Sequence, residues 1–221
     1  MNGKMIDFGT GNGYLAIPES GNGKGVIVLQ EWWGLVPHIK DVADRFAAAG
    51  YVALAPDLYN GVSTKSPDEA GKLLMALNIA ETDKKLRGAV DYLLANEAVT
   101  SEKVGTVGFC MGGMLSLFAA SKNENVGACV SFYGIHPAVK LDFESFDAPV
   151  LGLYAENDKS VPPTAVAELE ANLLKYDKPC EFKIYDDAEH AFFNDTRPEV
   201  YNKEYANDAW ERVLNFYEEN L

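Results

Sequence analysis

The stretch Val104-Gly105-Thr106-Val107-Gly108-Phe109-Cys110-Met111-Gly112-Gly113-Met114 decides the fold. Its first half is a short apolar run that reads as a buried strand, and the charge-poor run from Met114 to Ala120 reads as a helix. Between them, Gly108-Phe109-Cys110-Met111-Gly112 has the pattern Gly-x-nucleophile-x-Gly of a nucleophile elbow, with sulfur in place of the usual serine oxygen. The glycines have a physical reason. A nucleophile on a sharp strand-to-helix turn has a strained backbone, and bulkier neighbours would collide with the strand and the helix. The following helix also points the positive end of its dipole at Cys110. A buried, inert cysteine in a Gly-rich turn fits the same five residues, so the rest of the chain has to supply the context.

Working outward, buried strands alternate with amphipathic helices. Gly25-Val26-Ile27-Val28-Leu29-Gln30 is a continuous apolar run, the signature of a strand covered on both faces. A helix follows with Ile39, Val42, Ala43, Phe46 and Ala47 on one side, ended by Gly50. Tyr51 to Ala55 is a second buried strand, then Pro56-Asp57-Leu58-Tyr59, a polar loop from Asn60 to about Pro67 and a helical pair. Val126 to Phe132, Val150 to Tyr154 and Glu181 to Tyr185 read as later strands, with helices over Pro162 to Leu174 and from about Asn202 to Glu219. The stripe of that last helix is Ala206, Ala209, Trp210, Val213 and Tyr217. Gly9-Thr10-Gly11-Asn12-Gly13 lacks the spacing of a dinucleotide loop and precedes the strand-like Tyr14 to Ile17, so it reads as a hairpin turn. The pattern predicts an α/β fold whose mostly parallel sheet is covered by helices on both faces. No linker or repeat interrupts it, and residues 1–221 read as one domain.

Composition narrows the function. A hydrophobic fraction of 48% and a charged fraction of 24% fit an ordinary globular protein. The formal charge of −14 argues against nucleic acid or an anionic membrane as partner, because phosphate binding needs clustered Lys and Arg. The N-terminal residues carry no apolar signal core and no run is long enough to span a bilayer, so a cytoplasmic setting is expected. The three cysteines, Cys110, Cys129 and Cys180, stand at no metal-ligand spacing, so free thiols and no metal are expected. Asn194-Asp195-Thr196 is a sequon that would carry no sugar without export.

In such sheets ligands bind beyond the carboxyl ends of the strands. The α/β-hydrolase arrangement requires the chain order nucleophile, acid, histidine. Asp158 follows Val150 to Tyr154, and His190 follows the final strand, in that order after Cys110. An imidazole in reach of the thiol stabilises thiolate, and a carboxylate orients the imidazole. Taken alone, Asp158 also fits a loop aspartate capping the next helix; Glu156 is the competing acid. Of the other histidines, His38 precedes the nucleophile and opens a helix, and His136 follows a middle strand and reads as a rim residue. The backbone N–H groups of Met111 and Trp32 are candidate oxyanion donors. Trp32 and Trp33 fit packing as well, and Glu31 fits either an exposed loop charge or a functional carboxylate at the end of a buried strand.

Together, Gln30-Glu31-Trp32-Trp33-Gly34, Pro56-Asp57-Leu58-Tyr59, the elbow and Glu189-His190-Ala191-Phe192 resemble the dienelactone hydrolase family, in order and over nearly the whole chain. The resemblance implies a Cys110–His190–Asp158 triad that hydrolyses a small-molecule ester or lactone through an acyl-thiol intermediate without cofactor. It further implies that Glu31 pairs with the resting thiol and helps deprotonate it when substrate displaces it, and that Trp33 lines the pocket beside Tyr59. The dienelactone-cleaving members hold the substrate carboxylate with two arginines, whose positions here are Asn60 and Asn194. Asparagine donates a hydrogen bond but lacks the charged fork, and Arg197 is the nearby residue to compensate. A thioesterase or acyltransferase with the same triad, and a non-catalytic ligand-binding protein of this fold, are the competing readings. A monomer or weak homodimer is expected.

Overall fold

The computed structural model describes residues 3–134 and 139–221, so His136 lies outside the described residues. The elements in chain order are β1 (Lys4–Asp7), β2 (Asn12–Ala16), β3 (Gly25–Leu29), α1 (Pro37–Ala48), β4 (Val52–Pro56), α2 (Pro67–Ala76), α3 (Ile79–Leu94) and β5 (Val104–Phe109). They continue as α4 (Met111–Lys122), β6 (Val126–Phe132), β7 (Val150–Ala155), α5 (Pro163–Lys175), β8 (Cys180–Tyr185) and α6 (Lys203–Asn220). Among the described residues these strands make one eight-stranded sheet in the order β1-β2-β4-β3-β5-β6-β7-β8. The glycine-rich turn does close a hairpin: β1 and β2 pair antiparallel, and β2 pairs antiparallel with β4. From β4 to β8 every pairing is parallel.

The apolar runs are continuous because the sheet has a core on each face. Val26 and Val28 of β3 point into one and Ile27 and Leu29 into the other; β4 divides in the same way, with Ala53 and Ala55 opposite Val52 and Leu54. On the first face the stripes of α1 (Ile39, Val42, Phe46) and α6 (Ala209, Val213, Tyr217) close the layer. On the second, α3 supplies Leu86, Val90 and Leu93, α4 supplies Met114 and Leu117, and α5 supplies Val166 and Leu173. Alternating side chains thus account for strands with no polar face.

Helix α4 is the exception among the helices. It is buried from Met111 to Ser121 all the way round, which is why the sequence there is nearly uncharged. Its internal serine is satisfied: Ser116 Oγ lies 2.8 Å from Thr106 Oγ1 and donates to the Thr106 carbonyl at 3.1 Å. Trp210 of the α6 stripe is only half-buried, packing its ring 4.6 Å from Phe46. No helix among the described residues is long and apolar enough to cross a membrane.

Because β3, β5, β6, β7 and β8 run parallel, their carboxyl ends share one edge. The residues that follow them, Glu31, Cys110, Tyr133, Asp158 and His190, are therefore brought to that edge by topology.

Candidate active site

The link from β5 to α4 is the single residue Cys110, with φ 54° and ψ −117°. A non-glycine residue in that region is strained, and the surroundings hold it there. Cys110 N donates to the Phe132 carbonyl at the end of β6 (3.0 Å), which fixes the bend against the neighbouring strand. The flanking glycines let backbone pass backbone. A Cβ on Gly108 would overlap the Gly112 carbonyl and lie 2.7 Å from Gly113 N. The other cysteines make the contrast. All three are free, but Cys129 is fully buried in β6 and its thiol is pushed up by burial, as an inert core cysteine should be. Cys110 is partly exposed.

Asp158 lies in the loop after β7 and is buried. Its two oxygens divide two tasks. Oδ1 accepts the N–H groups of Ser160 (2.8 Å) and Val161 (2.9 Å), which shapes the loop. Oδ2 is 2.6 Å from His190 Nδ1. The loop-aspartate reading and the triad reading therefore describe the same side chain, although the N-cap of α5 is Pro162. Glu156, the competing acid, is exposed and accepts Asp187 N at 2.9 Å, clear of the imidazole.

His190 packs its ring 4.9 Å from that of Tyr133. Burial pulls its pKa down, but the hydrogen bond with Asp158 and the nearby Cys110 sulfur outweigh burial and push it up to about 10. With Nδ1 committed to Asp158, Nε2 is the nitrogen left for the thiol.

Glu31 follows β3 and is only 2% exposed, so it is not a surface loop charge. Its Oε2 accepts Asn194 Nδ2 at 2.9 Å. Burial raises its pKa; the nearby His190, the Asn194 bond and the charge of Arg197 pull the other way without cancelling the rise. The expected resting partner of Glu31 was the thiol, and the partner observed is an amide.

Asn194 therefore has an internal role where a substrate contact was expected. It is 2% exposed, and its Oδ1 accepts both Thr196 N (3.1 Å) and Thr196 Oγ1 (2.7 Å). Asn60 is exposed at φ 55°, with its Oδ1 taken by Lys85 Nζ at 2.6 Å. Arg197 sits close enough to bias Glu31, yet its Nε donates to Glu199 at 2.8 Å. Tyr59 is nearly buried and donates its hydroxyl to Met111 Sδ at 3.2 Å. Burial and the nearby Cys110 raise its pKa. Trp32 and Trp33 meet edge to face at 5.0 Å, both half-buried. Met111 N, at the first position of α4, has no intrahelical acceptor available to it.

Tyr133 escaped the sequence reading. It follows β6 with φ 41°, is fully buried beside His190, and its hydroxyl has no partner among the described residues. Its place one residue beyond a parallel strand was the available signal. His38 opens α1 as read, but it is buried, and burial lowers its pKa; its Nδ1 is 3.3 Å from Asp195 Oδ1. Asp195 is also paired with Arg45, so α1 grips the loop that carries Asn194.

Residues 12–221 match the family model of the "Dienelactone hydrolase family". "Protein usf" of Aquifex pyrophilus is 37% identical, covering 99% of each chain. A "Putative carboxymethylenebutenolidase" of Saccharolobus solfataricus is 37% identical over 92% of this chain and 91% of its own. A crystal structure titled as a "Putative Dienelactone Hydrolase" from Klebsiella pneumoniae superposes with a TM-score of 0.85 at 30% identity, covering 94% of this chain and 92% of that one. With an elbow cysteine, a buried aspartate on a histidine and an eight-stranded α/β sheet, the chain belongs to the dienelactone hydrolase family of the α/β-hydrolase superfamily.

Proposed function

We propose that the protein hydrolyses a carboxylic ester or lactone, with Cys110 as nucleophile, His190 as acid and base, and Asp158 orienting His190. The carrying observation is the buried Asp158 Oδ2 at 2.6 Å from His190 Nδ1, facing a cysteine held on a strained elbow. The Cys110 thiolate attacks the carbonyl carbon, and the π electrons move to oxygen. That oxyanion lies on the N–H groups of Met111 and Trp32. Collapse expels the alkoxide, which takes a proton from His190. Water, deprotonated by His190, then attacks the acyl-thiol and expels thiolate, giving the carboxylic acid. Held as imidazolium by Asp158, His190 stabilises the thiolate once it forms and has its proton ready for the leaving alkoxide. The test is intact and peptide mass after quenching with a slowly deacylated ester. One acyl group on the peptide carrying Cys110, absent in Cys110→Ala, is expected; turnover with acyl on another residue overturns the assignment.

Glu31 is read as the group that accepts the thiol proton when substrate enters, since its raised pKa makes it a stronger base than an exposed carboxylate. A raised folded-state pKa stabilises the fold below the unfolded value of about 4.5, and that contribution is lost as pH rises through the folded value. Above that folded value the buried anion is therefore a burden. Glu31→Gln, which keeps an acceptor for Asn194, is expected to raise the unfolding midpoint at pH 7 by roughly 2–4 °C, with little change at pH 4, and to lower turnover about tenfold or more. Calorimetry at the two pH values and steady-state rates check both halves. Unchanged turnover removes Glu31 from the mechanism.

A further inference from the structure

Beside the elbow, in the core layer on the sheet face opposite that of Tyr133, whose ring packs on His190, a cavity of about 60 Å³ is lined by Leu74, Leu77, Ile79, Met111, Leu115 and Val139, with the 80% exposed Met75 at its rim. Every lining side chain among the described residues is apolar. Met111 belongs to two structures at once, since its side chain walls the cavity while its N–H stands directly after the nucleophile. We propose that this cavity receives an uncharged, unbranched acyl chain and so sets the substrate class. The proposal rests on the ester-hydrolase reading above and adds the chemistry of the acyl group.

The geometry of the reaction sets the direction. A carbonyl bonded to Cys110 with its oxygen on Met111 N–H must send its leaving oxygen toward His190, which follows β8. The acyl substituent then departs away from His190, toward the sheet face on which Leu74, Ile79, Met111 and Val139 wall the cavity. Met111 Sδ is held by the Tyr59 hydroxyl at 3.2 Å, so a flexible thioether forms part of the cavity wall. The space suits on the order of two to four heavy atoms, taking about 15 Å³ for each water-sized probe position.

No cation lines the cavity among the described residues, which argues against a carboxylate on the chain. Lys85, the cation beside Asn60, gives Nζ hydrogen bonds to the carbonyls of Asp57 (3.0 Å) and Leu58 (3.5 Å) as well as to Asn60 Oδ1. An ammonium has three protons, and these partners use them. Asn194 is bonded to Glu31, and Arg197, whose Nε donates to Glu199, does not line the cavity. A formal charge of −14 further opposes an anionic substrate at long range.

The experiment compares kcat/KM for the 4-nitrophenyl esters of acetate, butyrate, octanoate and hemisuccinate, with Cys110→Ala as control. Butyrate is expected to exceed acetate by about tenfold for its two extra methylenes, and hemisuccinate, of equal length but charged, to fall at least tenfold below butyrate. Ile79→Phe should collapse the butyrate-to-acetate ratio, and Leu77→Ala should raise octanoate relative to butyrate. The two variants act in opposite directions, so misfolding of one leaves the other decisive. Cys110-dependent hydrolysis that ignores chain length, or that favours hemisuccinate, overturns this inference and leaves the ester-hydrolase reading standing. Absence of Cys110-dependent hydrolysis of all four esters counts against that reading itself.

Discussion

Cys110→Ala is expected to lower kcat on an activated ester by about 10⁴-fold or more, and Asp158→Asn by roughly 10²–10³-fold, with the fold retained in both. The two losses differ because the residues act at different points. Without Cys110 no acyl-thiol forms, and only the oxyanion donors and substrate positioning remain. Without the Asp158 charge the thiol is still present, but His190 loses the partner that holds its ring and raises its pKa to about 10. In Asp158→Asn the His190 pKa should therefore fall, since burial and the thiol are then the main influences on it. Titration of the His190 ring protons by NMR reads that shift independently of turnover. The loop bonds of Asp158 Oδ1 to Ser160 and Val161 survive in the asparagine, which keeps the geometry and isolates the charge. A pKa that stays near 10 in the variant would mean that Asp158 does not govern His190.

The largest effect on stability is expected at Gly108, where no side chain touches substrate. Its Cβ position is occupied by the Gly112 carbonyl, with Gly113 N at 2.7 Å, and both are backbone atoms of a buried helix. Nothing there can rotate aside. Gly108→Ala must displace α4 from β5 at the centre of the sheet, so it should cost about 3–5 kcal/mol, a large part of an ordinary folding free energy. Gly71 is the control. It lies within α2 with nothing in 4 Å of its Cβ position, so Gly71→Ala should stabilise by about 0.5–1 kcal/mol through helix propensity. Denaturant unfolding of the two variants gives opposite signs if packing at the elbow, and not glycine flexibility, is what matters.

Much of the site was legible because its order is linear. The buried strands announce themselves by continuous apolar runs, and each chemical residue stands just beyond one: Glu31 after β3, Cys110 after β5, Asp158 after β7, His190 after β8. A parallel sheet converts that repeated local pattern into one shared edge, so position relative to a strand was enough to choose Asp158 over Glu156 and His190 over His38. Tyr133 obeys the same rule after β6, but an aromatic residue beside an apolar strand carries no chemical signature that separates it from core.

The sequence by itself determined the strand-to-helix bend at Cys110, the two-faced sheet and the placing of Cys110, Asp158 and His190 after successive strands, because propensity, periodicity and glycine placement act over a few neighbouring residues. Only the tertiary structure decided what each side chain spends its hydrogen bonds on. Asn194 binds Glu31 across 163 positions, Asn60 is taken by Lys85 across 25, and one oxygen of Asp158 shapes a loop while the other holds His190. Such partners depend on which loops the folded sheet brings within about 3 Å, and on burial that no local window contains. That is also why the carboxylate of Glu31, which in sequence fits either a loop charge or a functional group, proves only in the fold to be buried.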